Sequence, residues 1–162
     1  IAEGTGRRRG SIVGLRWEDF DFAEETVHWR AEHDKKGKDA VIPMPSAFMT
    51  ELRRFQVRIG AVAGPLFPYR RDPSKDMPAD MLTQWLAKAE FEAGLPKLPG
   101  SLWHAFRRKW ASERMHLPIK AVADAGGWSD TATIQKCYQQ TDRATLLAVM
   151  SEPNKRSDRR IG

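Results

Sequence analysis

Three aromatic residues at helical spacing, Trp103, Phe106 and Trp110, constrain this chain most. Rings recurring at that interval place one face of a helix against a core. The same segment, Trp103-His104-Ala105-Phe106-Arg107-Arg108-Lys109-Trp110, carries a histidine and an arginine three positions apart. Side chains at i and i+3 are neighbours on a helix, so His104 and Arg107 can reach one phosphate. Downstream, Gly126-Gly127-Trp128 marks a turn, and Tyr138, one of two tyrosines in the chain, follows it. A phenol, an imidazole and a guanidinium gathered in one site suit attack on a phosphodiester. An isolated His-x-x-Arg is ordinarily a plain basic amphipathic helix, so the weight rests on what the other segments add.

The chain has 162 residues, enough for one domain with a sizeable core. No apolar run approaches the roughly 20 residues that a bilayer span needs, so no membrane partner is expected. The single cysteine, Cys137, cannot close an internal disulfide, which predicts a reducing, cytoplasmic compartment and excludes cysteine-built metal sites. A formal charge of +6 favours a polyanionic partner, with nucleic acid ahead of an acidic membrane surface. Ile1 to Thr5 read as the tail of a helix or turn already under way, without an initiator methionine, so a fragment or trimmed domain is expected.

In chain order, Thr5-Gly6-Arg7-Arg8-Arg9-Gly10-Ser11-Ile12-Val13-Gly14-Leu15 comes first. Ile12 and Leu15, with Arg8 and Ser11 flanking, fall at helical spacing, and arginines at a glycine-framed helix start suit a phosphate. Thr26 to Ala31 alternates apolar and polar as a half-buried strand does, and Ala40 to Pro43 reads as its return partner. The turn between them, His33 to Asp39, carries Lys35, Lys36 and Lys38, any of which could serve as a proton donor or simply keep the turn polar. Phe48, Leu52, Phe55 and Ile59 predict a helix opened by Pro45-Ser46 and closed by Gly60. Pro65 to Pro73 reads as a proline-punctuated loop holding Tyr69, an unsuitable nucleophile without a histidine nearby. Met81, Leu82, Trp85, Leu86 and Ala89 predict another amphipathic helix ended near Gly94 and Pro96. Pro118 opens a short helix stopped at Gly126-Gly127. Asp130, Thr131 and Thr133 can cap the helix carrying Tyr138. A last helix spans about Arg143 to Met150, and the tail from Pro153 to Arg160 is basic and without apolar anchors, which predicts disorder. The expected domain is therefore 1–150, with 151–162 as tail.

Four separated segments in this order resemble the catalytic domain of the tyrosine recombinases, also called the phage integrase family. Thr5 to Asp19 is similar to the family's first box, whose catalytic arginine stands two places after the glycine, at Arg8. Lys35-Lys36-Gly37-Lys38-Asp39-Ala40-Val41-Ile42-Pro43 is similar to its β-hairpin, whose lysine precedes the proline by eight positions, at Lys35. The second box falls on His104 and Arg107. The histidine or tryptophan after a glycine pair falls on Trp128, and the nucleophile on Tyr138. Two positions depart from the pattern. Ser11 stands where the family usually has an acidic residue three after the arginine, leaving the support of Arg8 unassigned. Tyr138 follows Trp128 by ten positions rather than the usual nine.

The resemblance implies an α+β fold, mainly helical, with a small antiparallel sheet whose hairpin carries the lysine. It implies metal-independent strand cleavage and rejoining, with no cofactor, through a covalent 3′-phosphotyrosine on Tyr138. Arg8 and Arg107 would clamp the non-bridging oxygens, Lys35 would protonate the leaving 5′-oxygen, His104 would take the tyrosine proton or donate to the phosphate, and Trp128 would donate its indole N–H. Arg7, Arg9, Lys36, Lys38, Arg108 and Lys109 are the expected contacts to the phosphates of double-stranded DNA. The implied protein is bacterial or phage in origin, monomeric alone and tetrameric on DNA, with exchange of the segment from Arg143 onward. A non-catalytic helix-turn-helix module and a phosphodiesterase or RNA-processing enzyme using His104 are the rival readings.

Overall fold

The computed structural model describes residues 1–34, 37–96, 102–137 and 143–152. The chain is mainly helical with a small antiparallel sheet, an α+β arrangement. Helices α1 (Ala2–Thr5) and α2 (Arg9–Val13) lead into a three-stranded antiparallel sheet of β1 (Phe20–Asp21), β2 (Thr26–Trp29) and β3 (Ala40–Pro43). In β2 the alternation read from the sequence holds: Val27 and Trp29 are buried, while Thr26 and His28 are only partly so. Val27 pairs with Ile42 and Trp29 with Ala40, so the apolar residues of both strands share one face. Those residues, with Ile12, Leu15, Trp17, Phe20, Met49, Leu52 and Leu66, form the larger of two apolar cores. Each such side chain contributes about 1.5–3 kcal/mol by leaving water.

Helix α3 (Ser46–Ile59) follows, ended by Gly60 in the left-handed conformation, and buries Met49 and Leu52. Between Pro65 and Pro73 the expected loop is instead partly a two-stranded sheet, β4 (Pro68–Tyr69) and β5 (Asp72–Asp76). Prolines are tolerated there because a two-stranded sheet consists of edges, where a missing N–H breaks no ladder. Helix α4 (Ala79–Glu92) has no buried residue.

The second core is built on α5 (Leu102–Ser112), α6 (Ile119–Gly126) and α7 (Ala132–Cys137). It comprises Trp110, Ala111, Val122, Ala123, Trp128 and Ile134. Asp130 caps α7 as expected, its carboxylate accepting from the Thr133 N–H at 2.9 Å and from the Thr133 hydroxyl. Helix α8 (Arg143–Ser151) leaves Leu146, Leu147, Val149 and Met150 exposed. The basic tail beyond residue 152 lies outside the described residues. Among the described residues no helix is long and apolar enough to cross a membrane.

Candidate active site

The site is assembled where α6 ends. A helix leaves its last carbonyls without intrahelical partners, and its C-terminus carries partial negative charge. Here the chain reverses at Gly127 (φ 69°), and the Trp128 N–H reaches back to the Ala123 carbonyl at 2.8 Å. Three arginines from two distant segments, Arg7 and Arg8 ahead of α2 and Arg107 on α5, satisfy these carbonyls. Arg7 donates from Nε to Ala125 O at 2.8 Å and from Nη2 to Asp124 O at 3.2 Å. Arg107 donates from Nη1 to the carbonyls of Gly6 and Gly126. Gly127 O then accepts from two guanidiniums, Arg8 Nη1 at 3.0 Å and Arg107 Nη2 at 3.4 Å.

The glycines are explained by the same packing. Gly6 adopts φ 60°, and a Cβ there would lie 2.5 Å from the Trp110 indole, while a Cβ on Gly127 would lie 2.5 Å from Arg7 Nη1. At Gly126 a Cβ would run into the Trp128 ring. Without side chains at these places, Trp110 and Trp128 stack with centroids 6.0 Å apart and planes at 19°. Arg107 lies 3.3 Å over the Trp128 ring and Arg114 lies 4.5 Å over that of Trp110, so each of the two stacked tryptophans carries a guanidinium.

His104 and Arg107 do neighbour each other on α5, but they do not share an environment. His104 is exposed; Arg107 is 3% exposed and occupies the buried stripe with Trp110 and Ala111. Desolvation, then the positive charges of Arg108, Arg107 and Arg8, hold the His104 imidazole below its ordinary pKa, favouring the neutral form. Of the expected catalytic residues, the structure brings together Arg8, Arg107 and Trp128, with the exposed His104 within electrostatic reach of both arginines. Lys35 and Tyr138 lie outside the described residues, as does Lys36. Trp128 is 6% exposed and serves visibly as the platform under Arg107.

Arg7, expected as a phosphate contact, has a structural engagement. It is 5% exposed, lies 4.7 Å over the Trp29 ring, and is engaged with α6 carbonyls, so it braces the two cores against each other. Burial lowers its pKa to about 10, partly offset by Asp34, and it stays charged at neutral pH. Three consecutive arginines in the sequence carry no signal of which one turns inward. Arg9 is tied to Thr83 and Asp80 of α4, and Lys109 to Glu3 and Glu113. Arg108 and Lys38 are exposed. Sequence reasoning also missed Asp34, whose carboxylate is 3.6 Å from Arg8 Nη1 and which lines a cavity of about 220 Å³ with Arg7, Lys38 and Trp128. Among the described residues no group of three or more His, Cys, Asp or Glu side chains is placed to hold a metal ion.

Known proteins share this arrangement of elements. A curated relative, the tyrosine recombinase XerA of Pyrococcus furiosus, is 27% identical over 134 residues, covering 82% of this chain and 45% of the relative. A crystal structure of XerA recombinase superposes with a TM-score of 0.69 at 19% identity, over 96% of this chain and 55% of that one. The Tn1549 transposon integrase in complex with a circular intermediate DNA gives 0.68 at 18% identity, over 93% and 55%. The XerH recombinase bound to its difH substrate gives 0.66 at 18%, over 93% and 44%. The chain thus spans about half the length of the relatives it matches. The profile of the phage integrase family matches residues 1–144, and with most of its length so matched, the chain belongs to the phage integrase family.

Proposed function

We propose that the protein is a site-specific DNA recombinase of integrase type, with residues 1–150 as its catalytic unit. The observation that carries this reading is the convergence of Arg8 and Arg107 on one oxygen atom, Gly127 O. Gly127 O thereby fixes the two guanidiniums side by side, and two fixed, adjacent guanidiniums suit the charge that builds on a phosphoryl group in its transition state. The neighbours solved with a circular intermediate DNA and with a difH substrate support double-stranded DNA as the partner. Arg8 and Arg107 stabilise the non-bridging oxygens. The Tyr138 oxygen attacks phosphorus and forms the phosphotyrosine bond as the bond to the 5′-oxygen breaks. Lys35 gives its proton to that leaving oxygen, and neutral His104 takes the tyrosine proton. The reverse attack by a 5′-hydroxyl of a partner strand restores the tyrosine. The linkage energy is kept in the phosphotyrosine, so no nucleotide is consumed. The protein would act in the cytoplasm of a bacterial host, as a monomer that assembles into a tetramer on DNA.

Covalent trapping tests the reading. Nicked duplexes tiled across the DNA on either side of the coding sequence are incubated with the protein and resolved on a denaturing gel. One duplex should give a protein–DNA adduct that Tyr138→Phe abolishes. DNA binding without any adduct would favour the non-catalytic helix-turn-helix module, and hydrolysis without adduct the phosphodiesterase.

A further inference from the structure

The first box of this chain has Ser11 at the position where an acidic residue would support Arg8. The serine is 6% exposed, and its hydroxyl donates to the His33 carbonyl at 2.9 Å, across 22 positions of sequence. It therefore fastens α2 to the short turn Ala31–His33 at the base of the β2–β3 hairpin. Gly14 allows the same approach from one turn further along, since a Cβ there would run into the His33 ring. The turn is fixed from its other side as well: the Ala31 N–H donates to Asp39 Oδ1 at 2.6 Å, and Arg30 Nε donates to Asp19 Oδ1 at 2.6 Å.

The residue delivered by that fixed turn is Asp34. Its N–H closes the turn on Ala31 O at 3.0 Å, and its carboxylate, with the side chain 11% exposed, lies 3.6 Å from Arg8 Nη1. Arg8 Nη1 is thus bounded by Gly127 O on the α6 side and by Asp34 on the hairpin side. An arginine side chain is long and flexible, and a hydrogen-bond acceptor on one element with an ion-pair partner on another restricts it far more than either alone.

Resting on the recombinase reading above, we propose that Asp34 is the positioning residue for Arg8, and that Ser11 acts by holding Asp34 in place through His33. The acidic support of the first arginine comes from the hairpin base instead of from its own helix. Orientation of a charged clamp matters for rate more than for binding, because the alignment is used at the transition state.

The experiment compares wild type, Asp34→Asn, Asp34→Glu and Tyr138→Phe on the nicked duplex found by tiling, measuring single-turnover adduct formation, duplex affinity and thermal melting. Asp34→Asn keeps the shape and removes the charge. It should slow adduct formation about 10- to 100-fold, with affinity and melting temperature unchanged, and Asp34→Glu should recover most of the rate. Adduct formation by Asp34→Asn at the wild-type rate would overturn the inference, as would a slow rate shared by Asp34→Glu or a loss matched by a fall in melting temperature. If wild type itself forms no adduct on any duplex, the recombinase reading fails and the inference with it. A wild-type adduct that Tyr138→Phe abolishes keeps the two failures apart.

Discussion

Helix α5 makes two contacts built from opposite materials. In one, Arg107, Trp110 and Ala111 press against the end of α6, and buried guanidiniums meet backbone carbonyls. In the other, Trp103 and Phe106 face an open, mainly apolar groove of about 440 Å³ shared with Leu82 and Leu86 of α4, where no residue of α4 is buried. The polar contact is the better fixed of the two. An apolar contact tolerates sliding, whereas a carbonyl removed from water demands its donor at one distance and angle. Placing the charged groups where the backbone requires them makes the arginine cluster part of the fold.

Removing the central guanidinium should break this contrast most severely. Arg107→Met keeps apolar volume but leaves the Gly6 and Gly126 carbonyls buried without their donor, which should cost about 3–5 kcal/mol. Denaturant unfolding would measure it; a loss near zero would mean that the carbonyls find other partners and that the seam is not polar in its energetics.

A smaller effect is expected at His104. Its folded pKa lies below the ordinary imidazole value, so the neutral form persists to lower pH than in a free histidine. Adduct formation should therefore hold through neutrality and fall only as pH drops through that lowered value, a limb that His104→Gln removes. Stability follows the same sign: on acidification the unfolded chain takes up this proton before the folded one does, and the folded state loses ground. Imidazole titration by NMR gives the midpoint, and one above about 6.5 would contradict the arrangement of positive neighbours.

The smallest effect belongs to the groove. Leu86→Ala on half-buried α4 should destabilise by about 1 kcal/mol or less, well under a core leucine. A loss as large as that at Arg107 would erase the difference between the two contacts of α5.

Much of the fold was legible because its signals are local. Alternation in Thr26 to Trp29 located a strand, Pro118 and Gly127 bracketed a helix, and the glycine after Ile59 ended another. The short sheet at Pro68 to Asp76 was not legible, since prolines conceal a strand that exists only as an edge. The spacing of His104 and Arg107 gave their adjacency, yet of the three aromatic residues that periodicity marked as the core stripe only Trp110 is buried, Trp103 and Phe106 lie half-buried at the groove, and Arg107 is buried instead. That depends on α6, whose carbonyls create the demand.

The sequence alone determined the inventory of groups and the helices and hairpin that carry them, because propensity, caps and periodicity act over a few residues. Tertiary structure decided what each group does. Which of Arg7, Arg8 and Arg9 turns inward, and how Asp34 comes to face Arg8, follow from contacts across distant segments, such as that between Arg8 and Gly127. The unpaired carbonyls at the end of α6 choose among the arginines by geometry, and no local pattern records that choice.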